Sequence, residues 1–230
     1  MKSLENYYLG FDRDGTLESE VHPFPAYLQQ KIENLRQKGA KTFIASGRSI
    51  AELEHIAKQH QLHFDLFCGE SGADILGTNL QVFYKDLTFF KEKIQEIQLP
   101  ASEDDLKKVV WTKYFGKNLP EAEKIVQNFI HQHQLKLKLY GHPDYNGALD
   151  VVPLEVDKTN ILAHIPEQAE IFYFGDSAND LGMMRSARVQ PFAPSNATEE
   201  VKKIVLAKNG KIANLPAGEG VLEILNFLFP

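Results

Sequence analysis

Two pairs of carboxylates carry the chemistry that this chain could do. Asp12 and Asp14 stand two apart in Phe11-Asp12-Arg13-Asp14-Gly15-Thr16-Leu17, and Asp176 and Asp180 four apart in Phe174-Gly175-Asp176-Ser177-Ala178-Asn179-Asp180. Carboxylates gathered at one point repel one another, and a divalent cation offsets that repulsion. An all-oxygen donor set with room for water and phosphate suits Mg²⁺ rather than zinc. Ala45-Ser46-Gly47-Arg48 adds a hydroxyl and backbone N–H donors, and Lys158 adds a point charge. Both match the non-bridging oxygens of a phosphoryl group. A carboxylate facing a phosphoryl group neutralised in this way can attack phosphorus and form an aspartyl-phosphate.

These strings act together only if the fold brings them to one edge. Residues 7–11, 41–45, 65–68 and 171–174 are short apolar runs that read as buried strands, with amphipathic helices expected over 26–38, from Ser49 to about His60, and over 159–165, 180–187, 198–207 and 221–229. Ser49-Ile50-Ala51-Glu52 has capping-box spacing, and Gly39 closes the first helix. Strand–helix alternation of this kind predicts a parallel sheet, and ligand sites of such sheets lie past the carboxyl ends of the strands. Three of the four strings fall there. The middle of the chain reads differently. Strands are expected at 81–84, 109–114, 136–140 and 148–152, helices near 89–97 and from Pro120, and a hairpin turn over Pro143-Asp144-Tyr145-Asn146-Gly147. Strands in succession suggest a small antiparallel sheet. The expected organisation is an α/β, Rossmann-like parallel-sheet core over 1–76 and 156–230, with an inserted α+β domain over 77–155.

In this order the strings resemble the four motifs of the haloacid dehalogenase superfamily of phosphohydrolases. The resemblance implies that Asp12 is the nucleophile and Asp14 the general acid/base, that Ser46, Gly47 and Lys158 bind phosphate, and that Mg²⁺ is held by the Asp12 carboxylate, the backbone carbonyl of Asp14 and Asp176. Asn179, Asp180 and Arg48 take supporting places. The insertion stands where the family's type II cap sits and suits its smaller IIB form. Gly69-Glu70-Ser71-Gly72-Ala73, Asp150-Val151-Val152-Pro153, Asn196-Ala197 and Gly218-Glu219-Gly220 add to the match. The chain looks most like the phosphoglycolate phosphatase and sucrose-phosphatase-like branch. That implies hydrolysis of a small phosphorylated metabolite, with leaving-group selectivity in the cap. Lys113, Lys136, Lys138, Tyr140 and His142 are the polar cap candidates, with the turn Asp144-Tyr145-Asn146 beside them.

Plainer readings compete at single residues. Lys158 by itself is an ordinary helix-start lysine, and its role rests on the other motifs. His131 and His133, two apart on a helix, do not share a face. Cys68 reads as a small buried hydrophobe, and Trp111, Phe89 and Phe90 as core of the insertion. A phosphomutase on the same fold would use the same groups, and a phospho-receiver module a similar set without an insertion. Composition excludes other classes. With 25 Lys+Arg against 31 Asp+Glu, the net charge of −6 makes a poor nucleic-acid binder. No apolar run approaches the roughly 18 residues of a membrane span. The first residues lack the apolar core of a signal peptide, and one cysteine allows no disulfide framework. A soluble cytoplasmic protein is the expectation.

Overall fold

The structure, a computed structural model, describes residues 3–76, 85–104, 107–143 and 145–230. The chain forms two compact units, Met1–Thr78 with Asp157–Pro230, and Asn79–Val156. In the first unit β1 (Tyr7–Phe11), α1 (Ala26–Gln37), β2 (Lys41–Ala45), α2 (Ile50–Gln59), β3 (Leu66–Gly69) and β4 (Asp74–Ile75) follow one another. Ser49 caps α2 with the full capping box, accepting from the Glu52 N–H while Glu52 accepts from the Ser49 N–H. The second unit holds α3 (Lys85–Lys93), β5 (Glu103–Asp104), β6 (Trp111–Tyr114), α4 (Leu119–Gln132), β7 (Leu137–His142) and β8 (Ala148–Pro153). The chain then returns to the first unit with β9 (Glu170–Phe174), α5 (Leu181–Arg185), β10 (Val189–Phe192), α6 (Glu199–Ala207) and α7 (Ala217–Leu228). The strand expected at 81–84 lies outside the described residues. Among the described residues no helix is long and apolar enough to cross a membrane.

The first sheet runs β10-β9-β1-β2-β3-β4, parallel except for the β3–β4 pair. Leu9, Phe11, Ile44, Phe174 and Phe192 face one side, against Leu28, Ile32 and Leu35 of α1, Leu53 of α2, and Val221, Ile224 and Leu225 of α7. Phe43, Ala45, Ile171 and Tyr173 face the other, against Met183 and Met184 of α5 and Val201 and Val205 of α6. Burial on both faces is why these strands read as unbroken apolar runs. The chain passes from β1 to β2 on one side, and β9 joins β1 on the other. The carboxyl end of β1 is therefore the topological switch point, where open α/β sheets form a crevice.

Several expectations need correction. Residues 158–164 form a 3₁₀ helix rather than an α-helix. The helix expected over 180–187 shrinks to α5, preceded by a 3₁₀ turn at Ala178–Asp180. β10 is a strand that its proline disguises: Pro191 cannot donate to a ladder, yet β10 pairs on one side only, with β9.

In the second unit the antiparallel order is β5-β6-β8-β7. Trp111, Leu137, Leu149 and Val151 face α3 and α4 through Phe90, Ala122, Val126 and Phe129. Phe90 is fully buried as expected, whereas Phe89 is exposed.

Candidate active site

Backbone geometry gathers the four strings. The Asp12 N–H donates to the Phe174 carbonyl at 2.8 Å, so β1 and β9 run side by side up to their acidic ends. The Ser46 N–H donates to Cys68, and the Ser71 N–H donates to the Ser46 carbonyl, which ties the 70–72 turn against the end of β2. Gly15 lies at φ +80°, and a Cβ there would fall on the Asp176 carboxylate, so only glycine lets the two loops meet. Thr16 Oγ1 donates to Asp176 Oδ1 at 3.1 Å, and Asn196 Nδ2 donates to the Gly15 carbonyl at 2.8 Å.

Lys158 is the hub. Its Nζ, with no exposed side-chain surface, lies 2.8 Å from Asp12 Oδ1 and 2.7 Å from Asp180 Oδ1, with Asn179 Oδ1 at 3.3 Å. Burial alone would lower its pKa, but Asp12 and Asp180 outweigh that and hold it raised. Burial pushes Asp12 well above the usual carboxylate range, with Asp180 and Asp176 adding to the rise and Lys158 opposing it. Asp176 is pushed up to about 7, first by burial and then by Asp180. One oxygen from each of Asp12, Asp176 and Asp180 falls within 4.8 Å of the others. Three acids facing one lysine leave an uncompensated charge of the sign a hard cation takes, and the donors are all oxygen, so the residues fit Mg²⁺. Asp180 is nonetheless saturated. Its Oδ1 accepts from Lys158 and from Tyr173 at 2.7 Å, and its Oδ2 from the N–H groups of Asp176 at 3.0 Å and Ser177 at 3.1 Å. A carboxylate offers about four lone-pair positions. Asp180 therefore scaffolds the group, and Asp12 and Asp176 are the carboxylates left to hold an ion.

The Asp14 carboxylate turns elsewhere. Arg48 Nε donates to its Oδ2 at 2.9 Å and Arg48 Nη2 to its Oδ1 at 3.1 Å, while Arg13 pairs with Oδ1. Arg13 also reaches Glu18 at 2.8 Å, and Glu18 meets His60 at 3.1 Å. Burial would lower the Arg48 pKa, but the bonds to Asp14 and the Glu52 charge raise it. Ser46 is buried, its Oγ accepting from the Arg48 N–H at 3.3 Å, with Gly47 between them. Cys68 is buried as expected, and burial pushes its thiol to about 12.

In the second unit Thr112, Asp150 and Tyr140 lie in one row of the sheet, on the face opposite Trp111, Leu149 and Val151. Asp150 is buried and accepts from Thr112 at 2.5 Å, with Lys107 at 3.0 Å and His142 at 3.4 Å. Burial would raise its pKa, but those partners lower it. Lys138 bonds to the carbonyls of Val156 and Leu154 and lies 5.6 Å from the Tyr140 ring centre. Lys136 is exposed. Lys113 pairs with Leu149, which places it on the helix-covered face, apart from the other candidates. Asp144 lies outside the described residues. Tyr173 and Asp150's partners Thr112 and Lys107 carry no sequence signal of their own. Thr16 alone is legible in hindsight, as part of the Asp-Gly-Thr string.

A model of the haloacid dehalogenase-like hydrolases matches residues 9–99 and 67–225. No curated protein matches the chain in sequence. Among solved structures, a Thermoplasma acidophilum protein is 17% identical with a TM-score of 0.74, covering 96% of each chain. The sucrose-phosphatase of Synechocystis, in complex with sucrose and phosphate, is 16% identical with a TM-score of 0.72, covering 97% of this chain and 98% of that one. A sugar phosphatase of haloacid dehalogenase subclass IIB is 20% identical with a TM-score of 0.68, covering 96% and 98%. At these identities the likeness is one of fold.

Proposed function

Because the chain belongs to the haloacid dehalogenase-like hydrolases, we propose that it is a Mg²⁺-dependent phosphomonoesterase working through an aspartyl-phosphate on Asp12. One observation carries the reading: a fully buried lysine bridges Asp12 and Asp180 at the switch point, beside Asp176. The Asp12 and Asp176 carboxylates, with the Asp14 backbone carbonyl, would hold the ion. When bound, Mg²⁺ supplies the positive charge that lets a phosphate dianion approach the Asp12 carboxylate.

Asp12 attacks phosphorus in line, and the bond to the leaving oxygen breaks. Lys158, Ser46 and the Gly47 backbone steady the non-bridging oxygens. Protonated Asp14 delivers its proton to the leaving alcohol. It then takes a proton from water as that water attacks the aspartyl-phosphate, releasing phosphate and restoring Asp12. Arg48 donates to both Asp14 oxygens, so this clasp must open for Asp14 to carry a proton. Phosphate release from a panel of phosphomonoesters tests the reading, with sugar phosphates and phosphoglycolate as the favoured class. Isomerised sugar phosphate without phosphate release would point to a mutase, and a stable phospho-aspartate without turnover to a receiver.

Chelation should silence the enzyme and Mg²⁺ restore it, with Ca²⁺ a poor substitute because its looser coordination misplaces the nucleophile. Full activity after thorough EDTA treatment would refute the metal requirement. The chelated protein should also carry a pH signature. Asp176 is raised from an ordinary 3.8 to about 7, so the folded state binds its proton more tightly than the unfolded chain. The stability this contributes is complete below 3.8 and is lost as pH rises through about 7. The thermal midpoint in EDTA should therefore fall between about pH 5 and pH 8, and Mg²⁺ should recover the loss at the upper end. A midpoint that climbs over this window would contradict the assignment.

Selectivity is the task we assign to the 79–156 unit as a cap. Alanine at Tyr140 or His142 should cut kcat/KM for the best substrate about tenfold or more, while p-nitrophenyl phosphate changes by less than about threefold. An unchanged ranking of substrates would move selectivity to the core loops.

A further inference from the structure

Tyr173 is the largest fully buried side chain among the described residues, and its phenol ends among the acids of the site. It sits in one row of the sheet with Gly10 of β1 and Phe43 of β2. A Cβ on Gly10 would fall on the Phe43 ring, so the missing side chain lets that ring lie across β1. There it stacks on Tyr173, with centroids 6.1 Å apart and planes 20° from parallel. The tyrosine ring is thus pinned on an apolar face that also holds Met183 and Met184. Its one polar atom donates at 2.7 Å to Asp180 Oδ1, the oxygen that also receives Lys158.

We propose that Tyr173 is a positioning residue, whose hydroxyl locks Asp180 and, through it, both Lys158 and the loop bearing Asp176. Asp180 distributes the constraint. Its Oδ1 holds the ammonium that reaches Asp12, and its Oδ2 holds the N–H groups of Asp176 and Ser177. Without the hydroxyl, Oδ1 keeps only Lys158 and draws that charge away from Asp12. Asp180 also loses one of the bonds that fix its rotamer, so the Asp176 loop loosens. Groups that orient ligands from behind typically matter by 10–100-fold in metal affinity or activity.

The turnover arm of the test rests on the phosphomonoesterase reading, and the binding arm does not. In Tyr173→Phe, calorimetry should show the Kd for Mg²⁺ raised about tenfold. The kcat should fall about tenfold while KM stays within about threefold and the fold, by circular dichroism, is retained. In an Asp180→Asn background, the same change should add less than about twofold to either quantity, because its route is already cut. A Mg²⁺ Kd within about twofold of wild type, or an equal cost with and without Asp180, would overturn the proposal. If wild type binds Mg²⁺ but frees phosphate from no monoester, the phosphomonoesterase reading fails, and the Mg²⁺ arm still decides the role of Tyr173.

Discussion

Asp12→Asn should lower phosphate release by at least about a thousandfold, the largest effect expected of any single substitution in this chain. Asparagine keeps the shape of the side chain and removes the oxygen nucleophile, so the covalent step has no substitute group. The backbone around residue 12 is held independently, by the donation of its N–H to Phe174. Lys158 retains Asp180 at 2.7 Å, so the buried charge is not orphaned. One member of a crowded acidic set has also been neutralised, so the variant should unfold at much the same temperature as wild type. Single-turnover phosphate release beside a thermal melt checks both halves. Turnover within about tenfold of wild type would end the covalent mechanism.

Lys158→Met should be the second most damaging change, and it should harm stability as well as rate. The side chain is fully buried and, among the described residues, it is the one cation paired with both Asp12 and Asp180. Removing it leaves two carboxylates in a dry site with no counter-charge, a situation that costs about 3–5 kcal/mol when a buried pair is broken. The size of the loss should depend on pH in a set direction. Asp12 and Asp176 already bind protons more readily in the folded state, through burial and mutual repulsion. Without Lys158 that tendency grows, so protonation relieves the penalty in acid and the full cost appears only at alkaline pH. Urea unfolding of the chelated variant at about pH 5 and pH 8 should show the larger loss at pH 8. An equal loss at both would mean that the acids do not change charge between these pH values once the lysine is removed, against this account.

Much of the fold is written locally. The span of β1 at Tyr7–Phe11 and of β2 at Lys41–Ala45 follows from short apolar runs buried on both faces. The start of α2 follows from the reciprocal Ser49–Glu52 cap, which needs only four consecutive residues. Where local signals conflict, neighbours decide. Pro191 argues against a strand, but an edge position with one partner tolerates it. Residues 158–164 have helical composition, yet Lys158 must reach two carboxylates and the segment winds as a tighter 3₁₀ turn. Residue type likewise marks Lys113 and Lys138 as polar candidates, but the strand register sends Lys113 to the helix-covered face, and the carbonyls of Leu154 and Val156 absorb the Lys138 charge.

From the sequence by itself come the acids, the serine and the lysine, their order along the chain and the strand ends that carry them. Those are properties of residue type and short-range spacing, and elementary coordination and phosphoryl chemistry suffices to interpret them. Only the tertiary structure decides which carboxylate does what. Asp176 and Asp180 differ by nothing but four places in the chain, yet the side chain of one accepts from Thr16, whereas the other is saturated by Lys158, Tyr173 and two backbone N–H groups. Asp14 is set apart by the clasp of Arg48, 34 residues away. Such roles depend on burial and on partners distant in sequence, and neither exists until the strands have stacked side by side.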